Sequence, residues 1–340
     1  MKAARFWLLL LTLLAGCWPA WPEPRPAPEP LIIPQATAEP GEATPLPETP
    51  PVVTTAASLP TLSPTPLPVA RDDLNVLLLG TDYRLRDPGG KRAWRTDTLI
   101  VVGLRPRSGV VAMLSIPRDL WVTIPGYGEE RINVADCLGE RRGGPGGGPA
   151  LVGATLQENL GIPIHAYARI NFQGLERVID TVGGITITSD RAFSTWMDDW
   201  TGEHMVHIEV VTGTQRMDGL TALGYARDRS DTSDLDRTRR QQEILLALRD
   251  AVLRPEILPR LPALLRALPD AVDTDLSLGQ VLSLVGLALR LGPESYRGKV
   301  FDHTMLTDWV TPEGAMVLLP KRPRVEQVWA ELTAPPSAPR

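Results

Sequence analysis

Four short segments of this 340-residue chain concentrate charge at the ends of apolar runs. Gly80-Thr81-Asp82-Tyr83-Arg84 closes the run 75–80, and Arg95-Thr96-Asp97-Thr98 opens the run 98–103. If the two runs are neighbouring strands, Asp82 and Asp97 meet at their ends. Two carboxylates there make the hard-oxygen site that Mg²⁺ uses when phosphates supply its remaining ligands. Taken singly, each aspartate reads more readily as a turn or helix cap. Ser115-Ile116-Pro117-Arg118-Asp119 ends a third run, 109–116, and either aims Arg118 at the same place or pairs it with Asp119 on the surface.

The fourth segment is the densest. Between Tyr225 and Gln242 lie Arg227, Arg229, Arg237, Arg239 and Arg240 with Asp228, Asp231, Asp234 and Asp236. A solvated ion-pair network would use the same residues. Their placement points to an anion instead: with Ser233 or Asp234 as N-cap, Arg237 to Arg240 fall in the opening turns of a helix, where the macrodipole disfavours cations. A bound phosphate reverses that sign, because free backbone N–H groups and guanidinium forks both match its oxygens. Arg237, Arg240 and Gln241 share a helical face with Ile244 and Leu248, so the face runs from cationic to greasy. Such a face suits an amphiphile with an anionic head and a hydrocarbon tail.

The elements that must position these groups are readable in outline. The three apolar runs are bounded by turn residues and read as strands buried on both faces. Helical patterns follow at 150–160 and 172–182, then a strand-like 185–188 and a long helix beyond Asp236. This alternation predicts a layered α/β fold, a sheet covered by helices. The leucine-rich stretches 258–268 and 276–291 either pack as ordinary core or line a lipid cavity. The glycine-rich 143–148 lacks a following Gly-Lys-Ser/Thr and reads as a flexible loop, not a phosphate loop.

Other chemistries are excluded or weak. A net charge of -5 gives no bulk positive field to hold nucleic acid. Neither a Gly-x-Ser-x-Gly elbow nor a convincing histidine set occurs; His204 and His207 lack a third metal ligand nearby. The two cysteines sit in very different settings and make no disulfide framework, and Cys137 reads as a small buried residue.

The chain start predicts where the domain works. Lys2 and Arg5 precede an apolar run, 6–15, too short to span a bilayer, and Leu14-Ala15-Gly16-Cys17 resembles a bacterial lipobox. Residues 1–17 are therefore expected to be a lipoprotein signal with lipidated Cys17, which places the protein on the extracytoplasmic face of the membrane. Residues 18–70 hold sixteen of the 34 prolines and read as a disordered linker to a domain at 71–335.

In order along the chain, NVLLLGTDYR, RTDT, LSIPRDLWVTIPGYGEERIN, IDTVGGI, MDGLTALGYARDR and DRTRRQQ resemble the LytR-CpsA-Psr family of bacterial envelope proteins. The resemblance runs from Asn75 to about Leu248 and more weakly through Thr274-Asp275-Leu276-Ser277. It implies a three-layer α/β/α fold around a mixed central sheet with a hydrophobic lipid pocket, Mg²⁺ (or Mn²⁺) as cofactor, and transfer of a glycopolymer phosphate from a polyprenyl-pyrophosphate carrier onto peptidoglycan. It also implies roles: Asp82 and Asp97 for the metal; Arg95, Asp97 and Arg118 for catalysis; and Arg227, Arg229, Arg237, Arg240 and Gln241 for the pyrophosphate. Hydrolysis of the same pyrophosphate, or lipid binding without catalysis by an envelope regulator, would use the same site. Two departures stand out: the lipoprotein-like start, where many relatives carry a transmembrane helix, and Cys137, where aromatic or small residues are usual.

Overall fold

The computed structural model describes residues 73–82, 94–144, 146–198, 204–228 and 234–336. Cys17, the proline-rich segment and Arg229 lie outside these residues. In chain order the elements are β1 (Leu74–Thr81), β2 (Thr96–Arg105), β3 (Val110–Ile116), β4 (Trp121–Ile124), β5 (Gly128–Arg131), α1 (Ala135–Gly143), α2 (Gly147–Leu160), β6 (Ala166–Asn171), α3 (Phe172–Val182), β7 (Ile185–Ser189), β8 (Phe193–Asp198), β9 (Met205–Val210), β10 (Gly213–Met217), α4 (Gly219–Arg227), α5 (Asp234–Leu253), α6 (Leu261–Ala271), β11 (Val272–Thr274), α7 (Leu278–Ala288), β12 (Tyr296–Val300), β13 (Leu306–Val310), β14 (Met316–Pro320) and α8 (Arg322–Thr333).

The three apolar runs form the centre of a six-stranded mixed sheet, ordered β11-β6-β1-β2-β3-β12. β1, β2 and β3 are antiparallel neighbours, β6 runs parallel to β1, and β12 runs parallel to β3. All seven residues of β3 are buried, as expected of a strand covered on both faces. Alternation then divides the sheet into two faces. Leu77, Leu79, Leu99, Val101, Ala112, Leu114 and Ile116 pack against Leu151, Val152 and Leu156 of α2 and Val325, Val328 and Trp329 of α8. A second core joins α3, α4, α5 and α6 with β7 to β10 over the other face. The α/β/α layering therefore stands. The strand expected at 185–188 is present but lies outside the main sheet, paired with β10 in a two-stranded ribbon. Among the described residues no helix is long and apolar enough to cross a membrane.

The glycine-rich segment corrects its reading as a flexible loop. Gly143 ends α1, Gly144 and Gly146 take positive φ, and Gly147 and Gly148 open α2. The two helices touch backbone to backbone. A Cβ at Gly139 would lie 2.3 Å from the Gly147 carbonyl oxygen, and one at Gly148 would lie 2.4 Å from Asp136 Oδ1. Glycine is required there by contact, not by looseness. Gly139→Ala is thus expected to destabilise the fold by about 1–3 kcal/mol despite alanine's better helix propensity. Gly279→Ala in α7, where a Cβ meets nothing within 4 Å, is expected to be neutral or slightly stabilising. Denaturant unfolding of the two variants checks the pair.

Candidate active site: a charged sheet end above an apolar cavity

The registry of β1 against β2 slips by one residue at its end. Gly80 faces Thr98 and Thr81 faces Thr96, so Asp97 is the extra residue of a β-bulge. The ladder resumes beyond it: Asp82 N–H donates to Arg95 O at 3.1 Å, and Arg95 N–H donates to Asp82 Oδ1 at 2.6 Å. The two aspartates therefore sit on adjoining strand ends, as their spacing predicted. β3 ends next to the start of β2, which brings Arg118 to the bulge, where its Nη1 donates to Asp97 Oδ1 at 2.6 Å. Trp94 fixes the segment entering β2, its Nε1–H donating to buried Asp136 Oδ2 at 2.5 Å. Burial raises the Asp136 carboxyl above the ordinary range, against the pull of Arg169, which donates to it at 3.0 Å.

Below this end, between the sheet and α3, α4 and α5, lies a cavity of about 710 Å³. Its polar end carries Asp97, Thr98, Arg227, Asp228, Arg237 and Gln241; its apolar wall includes Leu78, Ile170, Phe172, Leu175, Leu223, Ile244, Leu245 and Val272. Gly80 and Ala168 also line it, and a Cβ at Gly80 would lie 2.8 Å from Thr98 Cβ, so the glycine lets Thr98 pack close. Trp196 and Met205 line it and are also 64% and 58% exposed, which places them at its rim.

The arginine cluster divides. Arg237 and Gln241 reach the cavity from the opening turns of α5, whose first residue is Asp234. Arg227 reaches it from the last turn of α4, with its guanidinium 4.8 Å from the Phe172 ring centre. A cation at a helix C-terminus is favoured by the macrodipole. Arg240 is not among the lining residues. Its Nη1 pairs with Asp228 Oδ2 at 3.1 Å, its Nη2 donates to Asp228 O at 2.6 Å, and Phe193 and Tyr225 lie beside it. Asp228 also accepts from Arg191. With 3% and 1% of the side chains exposed, the Arg240–Asp228 pair is internal, and removing either partner would cost about 3–5 kcal/mol. Arg95 is exposed, Asp82 and Arg118 are half-buried, and none of the three lines the cavity.

Several participants escaped the sequence reading. Asp228 counted only as one charge of the cluster, and Phe172 only as the first residue of a helix. The leucine-rich stretches contribute little: among described residues after α5, only Val272 reaches the cavity. Leu264 joins the second core instead, while Leu282 and Val285 of α7 and Leu289 just after it face solvent. Cys137 is buried, as expected. His207 lies against Trp196 with ring centres 4.8 Å apart and planes inclined by 45°, and among described residues no group of three His, Cys, Asp or Glu gathers as a metal-ligand set.

Asp82 carries a pH signature. Burial raises its carboxyl above the ordinary range and the Asp97 charge adds to this, opposed by the Arg95 backbone N–H and the Arg95 charge. Ionised Asp82 therefore costs stability, which is recovered only where the group is protonated. The stabilisation it gives is present below the unfolded pKa and is lost as pH rises through the folded one. Asp82→Asn is expected to be more stable than the parent at neutral pH, with the difference vanishing below about pH 3.5. Unfolding curves across that range check the sign.

Comparison with known proteins identifies the family. The model of the LytR_cpsA_psr family matches residues 53–334. A protein of Oceanobacillus iheyensis named polyisoprenyl-teichoic acid–peptidoglycan teichoic acid transferase TagU is 35% identical over 217 residues, 63% of this chain and 62% of that protein. The regulatory protein MsrR of Staphylococcus aureus strain COL is 32% identical over 213 residues, 62% of this chain and 58% of its own. The chain thus spans about three fifths of the length of these relatives. Crystalline B. subtilis TagV is 26% identical, with a TM-score of 0.63 over 77% of this chain and 98% of its own. A structure of TagT bound to LI-WTA is 25% identical, with a TM-score of 0.59 over 80% of this chain and 94% of its own. On the family match and the shared fold, the chain belongs to the LytR-CpsA-Psr family.

Proposed function

We propose that the protein transfers a glycopolymer phosphate from a polyprenyl-pyrophosphate carrier onto peptidoglycan at the extracytoplasmic membrane face, held there by lipidated Cys17. The observation that carries this reading is a single cavity with guanidinium groups at one end and hydrocarbon along its wall. A pyrophosphate with a long apolar tail satisfies both at once. A relative named for teichoic acid transfer to peptidoglycan and a fold neighbour bound to LI-WTA support it.

In the reaction an acceptor sugar hydroxyl attacks the glycan-linked phosphorus. A new O–P bond forms, the bond to the bridging pyrophosphate oxygen breaks, polyprenyl phosphate leaves, and the hydroxyl proton is released to water. Phosphoryl transfer of this kind needs positioning and charge stabilisation more than a covalent nucleophile. Arg227, Arg237 and Gln241 hold the pyrophosphate at the cavity end, and Arg118, braced on Asp97, stabilises charge on the transferring group. Asp82 and Asp97 fit Mg²⁺ of the kind that takes its other ligands from phosphate and water, and they would hold it. When bound, the ion neutralises charge on the pyrophosphate oxygens. Arg240 acts by fixing Asp228 and through it the last turn of α4.

The test incubates the purified full chain with Mg²⁺, a polyprenyl-pyrophosphate saccharide and peptidoglycan oligomers, and follows lipid and glycan by mass spectrometry. A glycan-phosphate adduct on the oligomer is expected. Free glycan phosphate would mean hydrolysis, and binding without either product would mean a carrier; each sinks the proposal. Arg118→Ala and Asp97→Ala are expected to lower turnover by about 10²–10³-fold or more with folding intact. The same spectra are expected to show acyl chains on Cys17, and an unmodified Cys17 would remove the proposed anchor.

A further inference from the structure

A second set of contacts leads from Asp97 away from the cavity. Arg118 Nε lies 3.5 Å from Asp119 Oδ2, and Asp119 Oδ1 lies 3.3 Å from Arg131 Nε. None of these three residues lines the cavity. Arg131 stands directly opposite Trp121 in the β4–β5 pair, so their side chains share a face. Arg131 Nη2 also donates to Met316 O at 3.0 Å, which ties this hairpin to the β13–β14 hairpin. There the Trp309 ring lies 6.1 Å from that of Trp121, inclined by 59°. Beside the pair, Val310 and Met316 are 56% and 78% exposed. The Trp121 indole N–H is buried and has no hydrogen-bond partner among the described residues.

We propose that this shelf, Trp121 and Trp309 flanked by Arg131 and Asp119, is the subsite for the acceptor glycan strand. The inference rests on the transfer reading above and adds the direction of approach. In an in-line displacement the attacking and leaving oxygens lie on opposite sides of the phosphorus. The leaving polyprenyl phosphate occupies the cavity, so the acceptor hydroxyl enters from outside it. On that side the contacts from Asp97 run through Arg118, Asp119 and Arg131 to the tryptophan pair. The chemistry suits a saccharide: aromatic faces meet the C–H faces of pyranose rings, and the charged groups of Arg131 and Asp119 meet its hydroxyls. The exposed apolar neighbours extend the surface along a chain longer than one sugar.

The experiment measures transfer by the full chain at saturating polyprenyl-pyrophosphate saccharide against increasing peptidoglycan tetrasaccharide. Trp309→Ala is expected to raise KM for the tetrasaccharide about tenfold while KM for the lipid donor stays put. Trp309→Phe, which keeps a ring against Trp121, is expected to restore most of the loss, and Met316→Ser tests the surface without touching the pair. Calorimetric titration of the tetrasaccharide without donor reads the same site independently of turnover, and Trp309→Ala is expected to weaken it likewise. An unchanged acceptor KM with unchanged binding overturns the proposal, as does a change confined to the donor KM. If the parent protein transfers nothing, the reaction reading fails while the calorimetric titration still judges the shelf.

Discussion

One inserted residue organises the site. Without the bulge between Gly80 and Thr81, position 97 would pair across the sheet as an ordinary strand residue. The extra residue breaks the alternation of the pleat and re-aims the carboxylate. Asp97 thereby touches Arg118 on one side and borders the cavity on the other. Every other polar participant is placed relative to that carboxylate: Asp82 by the adjoining strand end, Arg118 by the end of β3, and the arginines of α4 and α5 across the cavity mouth.

The second organising fact is that the two faces of the sheet are filled differently. Toward α2 and α8, aliphatic side chains of the sheet and helices pack into one apolar core. Toward α3, α4 and α5, a second core is accompanied by the cavity, which Gly80 and Ala168 of the sheet help to line. Sheet and helices both line the cavity.

The legibility of the sequence follows from the range of the interactions concerned. Runs such as 75–80 and 98–103 announce strands because burial on both faces demands consecutive apolar residues. The same runs brought Asp82, Asp97 and Arg118 to one sheet end, since antiparallel neighbours must place their connected ends together. The helical face carrying Arg237, Gln241 and Ile244 was equally visible. Arg240 shows where local periodicity stops: its spacing matched that face, but its guanidinium turns to Asp228, a partner fixed only by how two helices pack. The glycine-rich stretch was misread for a related reason. Composition signals freedom, and only the approach of α1 to α2 reveals that the freedom is used for contact. The leucine-rich helices showed apolar content but not which neighbour it meets.

The internal bond between Asp228 and Arg240 joins the end of α4 to the start of α5, two of the walls around the cavity. Because both charges are shielded from water, ionic strength has little grip on it. The slot is therefore preorganised: its spacing is set when the chain folds, and an incoming amphiphile loses little affinity to rearranging its host. Salt should weaken the first encounter with a phosphorylated head far more than it alters the shape of the receptacle.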